Sequence, residues 1–233
     1  MASPVEAVPM ARGSSRPLWP LKDGAPQTSF KSSASFGAPR TSGSSRWHVG
    51  IDIPARRGDL VVAMEDGVLV CKGNTCEQGW MGPDAKAVLV QHDSGRVVLY
   101  GALIPGSYKE FGLGLGSRVK RGDPIGRVGT YPAGTSMLHL ETYAKGTVDN
   151  APWYQGKPPP PEVLNPTDYL RLAAQVTEDE RKGVEASPKE QEPSTSTEDG
   201  GWTGRTSALV AGGVVLGLAA AAVAVHRARK EDA

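Results

Sequence analysis

The chain has 233 residues, which gives room for one domain of ordinary size and some attached segments. Its 26 basic and 25 acidic residues leave a net charge of +1, so overall charge gives no reason to expect a nucleic-acid partner. Glycine (29) and proline (19) are frequent and aromatic residues make up only 6%, a composition that favours a turn-rich, β-leaning fold with a modest core.

Residues 1–16 are predicted to be disordered and lack the apolar core of a secretory signal peptide. From residue 17 to residue 176, short apolar runs alternate with turn sequences such as Asp66-Gly67. This pattern predicts a mainly β domain, an antiparallel sheet or barrel-like sandwich built largely of hairpins. A short helix over residues 165–176 is predicted to end the domain.

His48 and Asp52 stand four residues apart in the stretch SRWHVGIDIPA. In an extended strand they would share a face but lie roughly 13 Å apart, whereas each ligand of a zinc ion must lie about 2.0–2.2 Å from it. A bend at Gly50 would bring the two together on one metal; without it they are a polar strand edge. His139, in TSMLHLETY, is predicted to share a strand face with Glu141, and that stretch alone favours a buried histidine hydrogen-bonded to the glutamate.

Several segments, in this order, resemble the motifs of the lysostaphin/LytM-type zinc peptidoglycan endopeptidases: SASFGAPRTSGSSRWHVGIDIPARRGDLVVAMEDGVLV, VLVQHDSGRVVLYGAL, VKRGDPIGRVGT, MLHLETY and NPTDYL. The resemblance covers about residues 17–172 and implies the duplicated hybrid motif fold of that family. It further implies a zinc ion in a groove of the sheet, bound by His48, Asp52 and His139. The implied activity is cleavage of cross-link peptides in bacterial cell-wall peptidoglycan by zinc-activated water.

Two positions depart from the family pattern. Met137 stands where the family's H-x-H motif has its first histidine, and Ala102 stands where its Y-x-H-L motif has a histidine. A positioned proton-transfer group is worth typically ~10²–10⁴ in rate, so this loss predicts impaired catalysis. Glu141 and Tyr100 are the candidates to act as catalytic residues instead, with Tyr131 as a further one.

Two of these candidates have a structural alternative: Glu141 would orient His139, and Tyr100 would be a core ring. Three functions therefore stay open. The first is a membrane-tethered zinc endopeptidase, the second a catalytically degenerate zinc-bearing module that binds or regulates the cell wall, and the third a structural component of a virion or envelope. Intact ligand residues favour the first two. Trp80 and Tyr108 are expected to contact a ligand from loops that wall the groove.

Residues 177–206 are polar and interrupted by proline, so they are predicted to form a disordered linker. Residues 207–225 carry no charge and are long enough to cross a ~30 Å hydrocarbon core as a transmembrane helix. The basic tail, residues 226–233, predicts a cytoplasmic C-terminus and an exterior β domain. Such a run before a basic cluster also resembles a cleaved sorting signal. Gly213 and Gly217 form a G-x-x-x-G pair that would support a weak helix-mediated dimer.

The expected cofactor is thus Zn²⁺, and the expected partners are peptidoglycan peptides and the membrane, without nucleic acid. Export of the domain without a signal peptide would need a misassigned start codon, translocation by the tail helix or delivery within a virus particle. Cys71 and Cys76 would form a disulfide in an extracytoplasmic domain, and two thiols are an equally good prediction.

Overall fold

The computed structural model describes residues 16–40, 45–71, 77, 84–130 and 134–185. Residues 1–15, the transmembrane helix predicted over residues 207–225, the basic tail and Cys76 lie outside this part of the chain. Within the described ranges, no helix combines the length and the apolar character needed to cross a membrane.

Short strands dominate the described residues, and the prediction of a mainly β fold is confirmed. The elements are β1 (Pro39–Arg40), β2 (Arg46–Trp47), β3 (Gly50–Pro54), β4 (Leu60–Val62), β5 (Gly67–Val70), β6 (Lys86–His92), β7 (Val97–Leu103), β8 (Arg118–Val119), β9 (Pro124–Arg127), β10 (Met137–Tyr143), β11 (Trp153–Tyr154), β12 (Val163–Leu164) and α1 (Thr167–Glu185). Two short 3-10 turns, Ser32–Ala34 and Ser107–Phe111, complete them.

A seven-stranded antiparallel sheet forms the centre of the fold. Its order is β12-β10-β7-β6-β5-β8, and β3 also pairs with β10. Since β7 occupies one edge of β10, β3 and β12 share the other edge, β3 along Met137 to Glu141 and β12 along Thr142 and Tyr143. Strand β10 therefore has neighbours on both sides from His139 to Tyr143, which fixes the position of the residues it carries there.

Apolar side chains cover both faces of this sheet. On one face Leu138 and Leu140 of β10 join a large core that includes Trp19 and four buried residues of α1. On the other face Leu99 of β7 packs with Tyr143 in a smaller cluster. Strand β7 is buried at all of its positions, as expected of a strand covered on both faces.

Helix α1 is longer than the sequence predicted. It runs Thr167–Glu185, so the prediction that a disordered linker begins at residue 177 is wrong for residues 177–185. The physical reason is a contact with the start of the domain: the hydroxyl Oγ1 of the buried Thr177 accepts a hydrogen bond of 2.8 Å from the backbone N–H of Trp19.

A further sheet has three strands in the order β1-β2-β11, and its strand β2 ends directly before His48. On one of its faces Trp153 packs against Phe36 and Trp47, with ring centroids 5.6 and 5.9 Å apart. Arg40 and Arg46 are direct cross-strand partners in β1 and β2, and by the alternation of strand side chains they lie on the opposite face from Trp47. A separate two-stranded sheet pairs β4 with β9.

Candidate metal centre

His48 and Asp52 lie on different sheets. His48 extends the pairing of β2 with β1, because its N–H donates to the Ala38 carbonyl at 2.8 Å and its carbonyl accepts from the Gly37 N–H at 2.7 Å. Two residues later the chain enters β3, where Asp52 lies directly opposite His139 of β10. This change of sheet brings His48 Nε2 to 3.2 Å from Asp52 Oδ1, a proximity that a single extended strand does not allow.

Because Gly50 has no side chain, the His139 ring can occupy the space beside its Cα atom. A Cβ atom added at Gly50 would lie 2.5 Å from the Leu140 carbonyl oxygen and 2.8 Å from His139 Cε1, and real Cβ atoms essentially never come so close to other atoms. Gly50 is not among the residues with positive φ. Glycine is therefore required here for close packing, in addition to the bend that the sequence predicted at this position.

Three side-chain atoms converge at this junction of sheets. His48 Nε2 and His139 Nδ1 are 3.1 Å apart, and Asp52 Oδ1 lies 2.7 Å from His139 Nδ1. The histidine side chains are 4% exposed and that of Asp52 is 13% exposed, so the centre is nearly closed to solvent. The structure thus brings together the three residues predicted from the sequence as metal ligands.

The other ring nitrogens determine which atoms could hold a metal. His48 Nδ1 lies 2.9 Å from the Ser35 carbonyl, and His139 Nε2 lies 2.9 Å from Glu141 Oε1. Since both partners accept, these nitrogens carry the protons of the neutral rings, and the facing nitrogens present lone pairs toward Asp52. Two imidazoles and one carboxylate form a donor set that suits zinc and leaves its fourth position open. The residues present therefore fit Zn²⁺.

Glu141 lies behind the His139 ring. Its side chain is 1% exposed; Oε1 accepts from His139, and Oε2 accepts from the Tyr143 hydroxyl, which in turn accepts from the Ala151 N–H at 3.1 Å. Because Glu141 and Asp52 contact opposite nitrogens of the imidazole, Glu141 does not face the place where the three ligand atoms meet. The geometry matches the orienting alternative for Glu141 rather than a catalytic base.

The electrostatics of the centre favour a positive charge among its groups. Burial alone would lower the pKa of His139, but hydrogen bonds with Asp52 and Glu141 raise it to about 9. Burial lowers the pKa of His48 below its ordinary value. For Asp52, burial opposes ionisation, yet the hydrogen bonds from the two histidines hold its pKa far below the usual range. A proton or a metal cation satisfies this arrangement.

Arg40 is a further charged residue of the centre, and it was not predicted from the sequence. Its Nη2 donates to Asp52 Oδ2 at 2.7 Å and its Nη1 donates to the Ser33 carbonyl at 2.7 Å. The contact depends on the pairing of β1 with β2, two-residue strands that have no recognisable periodicity. The arginine in FGAPR therefore carried no local signal of its position.

Residues 46–151 match the sequence profile described as Peptidase family M23. They form a peptidase family M23 domain. The matched range contains His48, Asp52 and His139, and Arg40 precedes it. No curated protein sequence matches the chain.

Solved structures of related peptidases are similar to the chain at low identity. The catalytic domain of the antimicrobial peptidase lysostaphin from Staphylococcus simulans is 19% identical, with a TM-score of 0.43, and the match covers 59% of this chain and 89% of that chain. A zinc-containing peptidase from Vibrio cholerae is 20% identical, with a TM-score of 0.43, over 63% of this chain and 41% of that chain. The chain spans about half, 49%, of the lysostaphin chain in a solution structure, at 20% identity, 60% coverage of this chain and a TM-score of 0.42.

Tyr100 lies in the core of the M23 domain and not at the candidate metal centre. It is fully buried beside Leu140, on the face of the sheet opposite to His139. Its hydroxyl accepts from the Met64 N–H at 3.0 Å and lies 3.0 Å from His92 Nε2. Burial raises the pKa of Tyr100 well above its ordinary value. The structure thus places it as a core ring, the alternative to the predicted catalytic role.

The two positions that depart from the family pattern have different environments. Met137 is half-buried at the start of β10, opposite Pro54 and two residues from His139 on the same face. Ala102 is fully buried, with φ of 61°, a left-handed conformation that costs a residue with a side chain roughly 1–2 kcal/mol. Neither side chain can transfer a proton.

Of the two expected groove contacts, Tyr108 is 7% exposed and belongs to the large core, so its ring does not line a groove. It is buried because the turn Ser107–Phe111 packs against β9. Trp80 lies outside the described residues, and so does Tyr131.

Proposed function

We propose that the chain is a membrane-tethered zinc endopeptidase that acts on peptide cross-links of bacterial peptidoglycan. The observation that carries this proposal is the convergence of His48 Nε2, Asp52 Oδ1 and His139 Nδ1 in a peptidase family M23 domain. These atoms would hold Zn²⁺ with one position open to substrate. When bound, zinc acts as a Lewis acid on the peptide carbonyl and makes water a nucleophile near neutral pH.

The chain's own residues would prepare the ligands for this task. The Ser35 carbonyl and the Glu141 carboxylate fix the ring orientation of His48 and His139 through their outer nitrogens. This leaves both inner nitrogens unprotonated in the neutral rings, as metal binding requires. Because the ligands are already ordered by these bonds, little side-chain freedom remains to be lost when the metal binds.

A second candidate function is a zinc-bearing module that binds peptidoglycan peptides without cleaving them. Met137 and Ala102 occupy the positions of the family histidines, and Glu141 is enclosed behind His139. Among the described residues in contact with the ligands, no side chain is placed to exchange a proton with substrate, because an arginine guanidinium is not an acid–base catalyst and Glu141 faces away. This observation favours a centre that holds a metal and a peptide but turns over slowly.

The placement in the cell is part of the proposal. Residues 207–225 would anchor the chain in the membrane, and the basic tail that follows would stay on the cytoplasmic side. The M23 domain would then reach peptidoglycan from the exterior side of the membrane, or from a virion that carries the chain.

The test uses the 233-residue chain and purified cell-wall sacculi. Bound zinc is measured by elemental analysis, and the release of soluble wall fragments is followed on the same samples. His139→Ala removes a ligand, and Met137→His restores the first histidine of the family motif at a half-buried position. His226→Ala, in the basic tail, is the matched control for loss of a histidine.

An endopeptidase is supported by about one zinc per chain together with release that His139→Ala abolishes and His226→Ala does not. The binding module is supported by bound zinc without release, particularly if Met137→His gains release. If the parent chain binds no zinc, both candidates fail.

A further inference from the structure

Arg40 links the metal centre to the chain that precedes it. One arm of its guanidinium donates to the Ser33 carbonyl and the other donates to Asp52 Oδ2, each at 2.7 Å. The side chain is 34% exposed, whereas that of Asp52 is 13% exposed. The charged fork therefore sits at the border between solvent and the nearly closed centre.

This contact divides the two oxygens of Asp52 between different partners. Oδ1 faces His48 Nε2 at 3.2 Å and His139 Nδ1 at 2.7 Å, while Oδ2 accepts from Arg40. Hydrogen bonds between a guanidinium and a carboxylate are short and about twice as strong as neutral ones. Rotation of Asp52 to offer both oxygens to one metal would break such a bond.

The stability of the three-stranded sheet β1-β2-β11 does not account for an arginine at position 40. Arg40 and Arg46 are direct cross-strand partners, and like charges directly opposite each other destabilise a strand pair. The contact with Asp52 offsets this repulsion and supplies a physical reason for the residue. An arginine is also suited to the task, because its planar fork reaches two acceptors at once and a lysine ammonium does not match that geometry.

We propose that Arg40 is a positioning residue that makes Asp52 bind zinc through Oδ1 alone. By holding Oδ2, Arg40 keeps the aspartate from taking a second coordination position, and that position stays available to the substrate. The inference rests on the metal site of the proposed function but not on hydrolysis, since the coordination of the metal can be observed in a protein that cleaves nothing.

The test compares metal binding by the 233-residue chain and three variants, Arg40→Ala, Arg40→Lys and Arg46→Ala. Zn²⁺ affinity is measured by competition with a chromophoric chelator at fixed pH and salt. Co²⁺ replaces zinc for visible spectroscopy, because the absorption of Co²⁺ weakens when its coordination number rises. Thermal unfolding of the metal-free proteins reports any destabilisation of the three-stranded sheet β1-β2-β11.

Arg40→Ala is expected to lose about 10- to 100-fold in zinc affinity, as is typical when a group that orients a ligand is removed, and to weaken the Co²⁺ absorption. Arg40→Lys is expected to change the spectrum in the same direction, because it keeps the charge and loses the fork. Arg46→Ala, which removes the cross-strand partner, is expected to leave affinity and spectrum at parental values.

Parental affinity and spectrum in Arg40→Ala would overturn the inference while leaving the zinc site intact. Full recovery of both by Arg40→Lys would also overturn it, because charge alone would then suffice. If Arg40→Ala does not fold, the Arg40→Lys spectrum decides between these outcomes. A parent chain that binds neither Zn²⁺ nor Co²⁺ would overturn the proposed function and this inference together.

Discussion

At position 50 the lack of a side chain decides whether the His139 ring can lie beside His48 and Asp52. Gly50→Ala would place a methyl group 2.5 Å from the Leu140 carbonyl and 2.8 Å from the His139 ring, so either the β3–β10 pairing or the ring must move. We expect zinc affinity to fall at least about tenfold and the free energy of unfolding to fall by about 1–3 kcal/mol. Calorimetric zinc titration and urea denaturation measure the two effects.

Gly114→Ala is the matched control for this change. A Cβ atom at Gly114 meets nothing within 4 Å, and its φ is not left-handed. Its effect on stability should stay within about 0.5 kcal/mol, the usual range for surface substitutions. Parental zinc affinity in Gly50→Ala would contradict the steric explanation.

The three candidate ligand residues could be predicted from the sequence, whereas the charged Arg40 beside them could not. His139 and Glu141 were expected on one strand face, and their hydrogen bond of 2.9 Å agrees with that. Strand geometry alone predicted that His48 and Asp52 lie too far apart to share a metal. Only the family resemblance predicted their proximity, because a change from one sheet to another produces no periodic pattern in the sequence. Arg40 was missed for a similar reason: it lies 12 residues before Asp52, and nothing local indicates the contact.

At the scale of elements, the last turns of α1 show what a local pattern omits. Residues 177–185, TEDERKGVE, are polar, and Glu178 to Gly183 are exposed, so composition predicted disorder. The helix nevertheless continues, because Thr177 binds the Trp19 backbone 158 residues away and Glu180 pairs with Arg121 at 2.6 Å. Contacts between residues so far apart in the chain cannot be detected from periodicity within a sequence window of about 11–18 residues.

A pair of fragments tests the contribution of these turns. A fragment of residues 16–176 should be less stable than one of residues 16–185 by about 1–3 kcal/mol, because the buried Trp19 N–H loses its acceptor. The exposed Arg121–Glu180 pair adds little. Urea denaturation measures the difference, and Thr177→Val in the longer fragment isolates the hydroxyl.

Gln175→Ala, at an exposed position of the same helix, is the control for Thr177→Val. Equal stability of the two fragments would show that the helix beyond residue 176 does not hold the N-terminal segment.

For the domain as a whole, a buried histidine predicts how stability changes with pH. Burial lowers the pKa of His92 from 6.5 to about 4. Between these values the unfolded chain binds a proton that the folded domain excludes. The free energy of unfolding should therefore fall as pH falls from 6.5 to 4, by at most about 1.4 kcal/mol per pH unit from this residue. Above pH 6.5 His92 adds no slope.

Denaturant titrations of the metal-free chain at pH 4.5, 5.5 and 7 measure this dependence. His139 does not contribute in the same window, because its pKa is raised to about 9: its stabilisation is complete below pH 6.5 and is lost as pH rises toward 9. A His92→Gln variant should show a shallower slope than the parent. Identical slopes would contradict the assignment to His92.

The junction of two sheets at the metal centre has a consequence for the whole chain. His48 extends the three-stranded sheet β1-β2-β11, and His139, 91 residues later, lies in the seven-stranded sheet. A metal held by both is a removable cross-link that closes a long loop. By the chain-entropy argument used for disulfides, closing a loop of that length is worth about 4–5 kcal/mol. A centre that had lost its chemistry would still stabilise the fold that carries it.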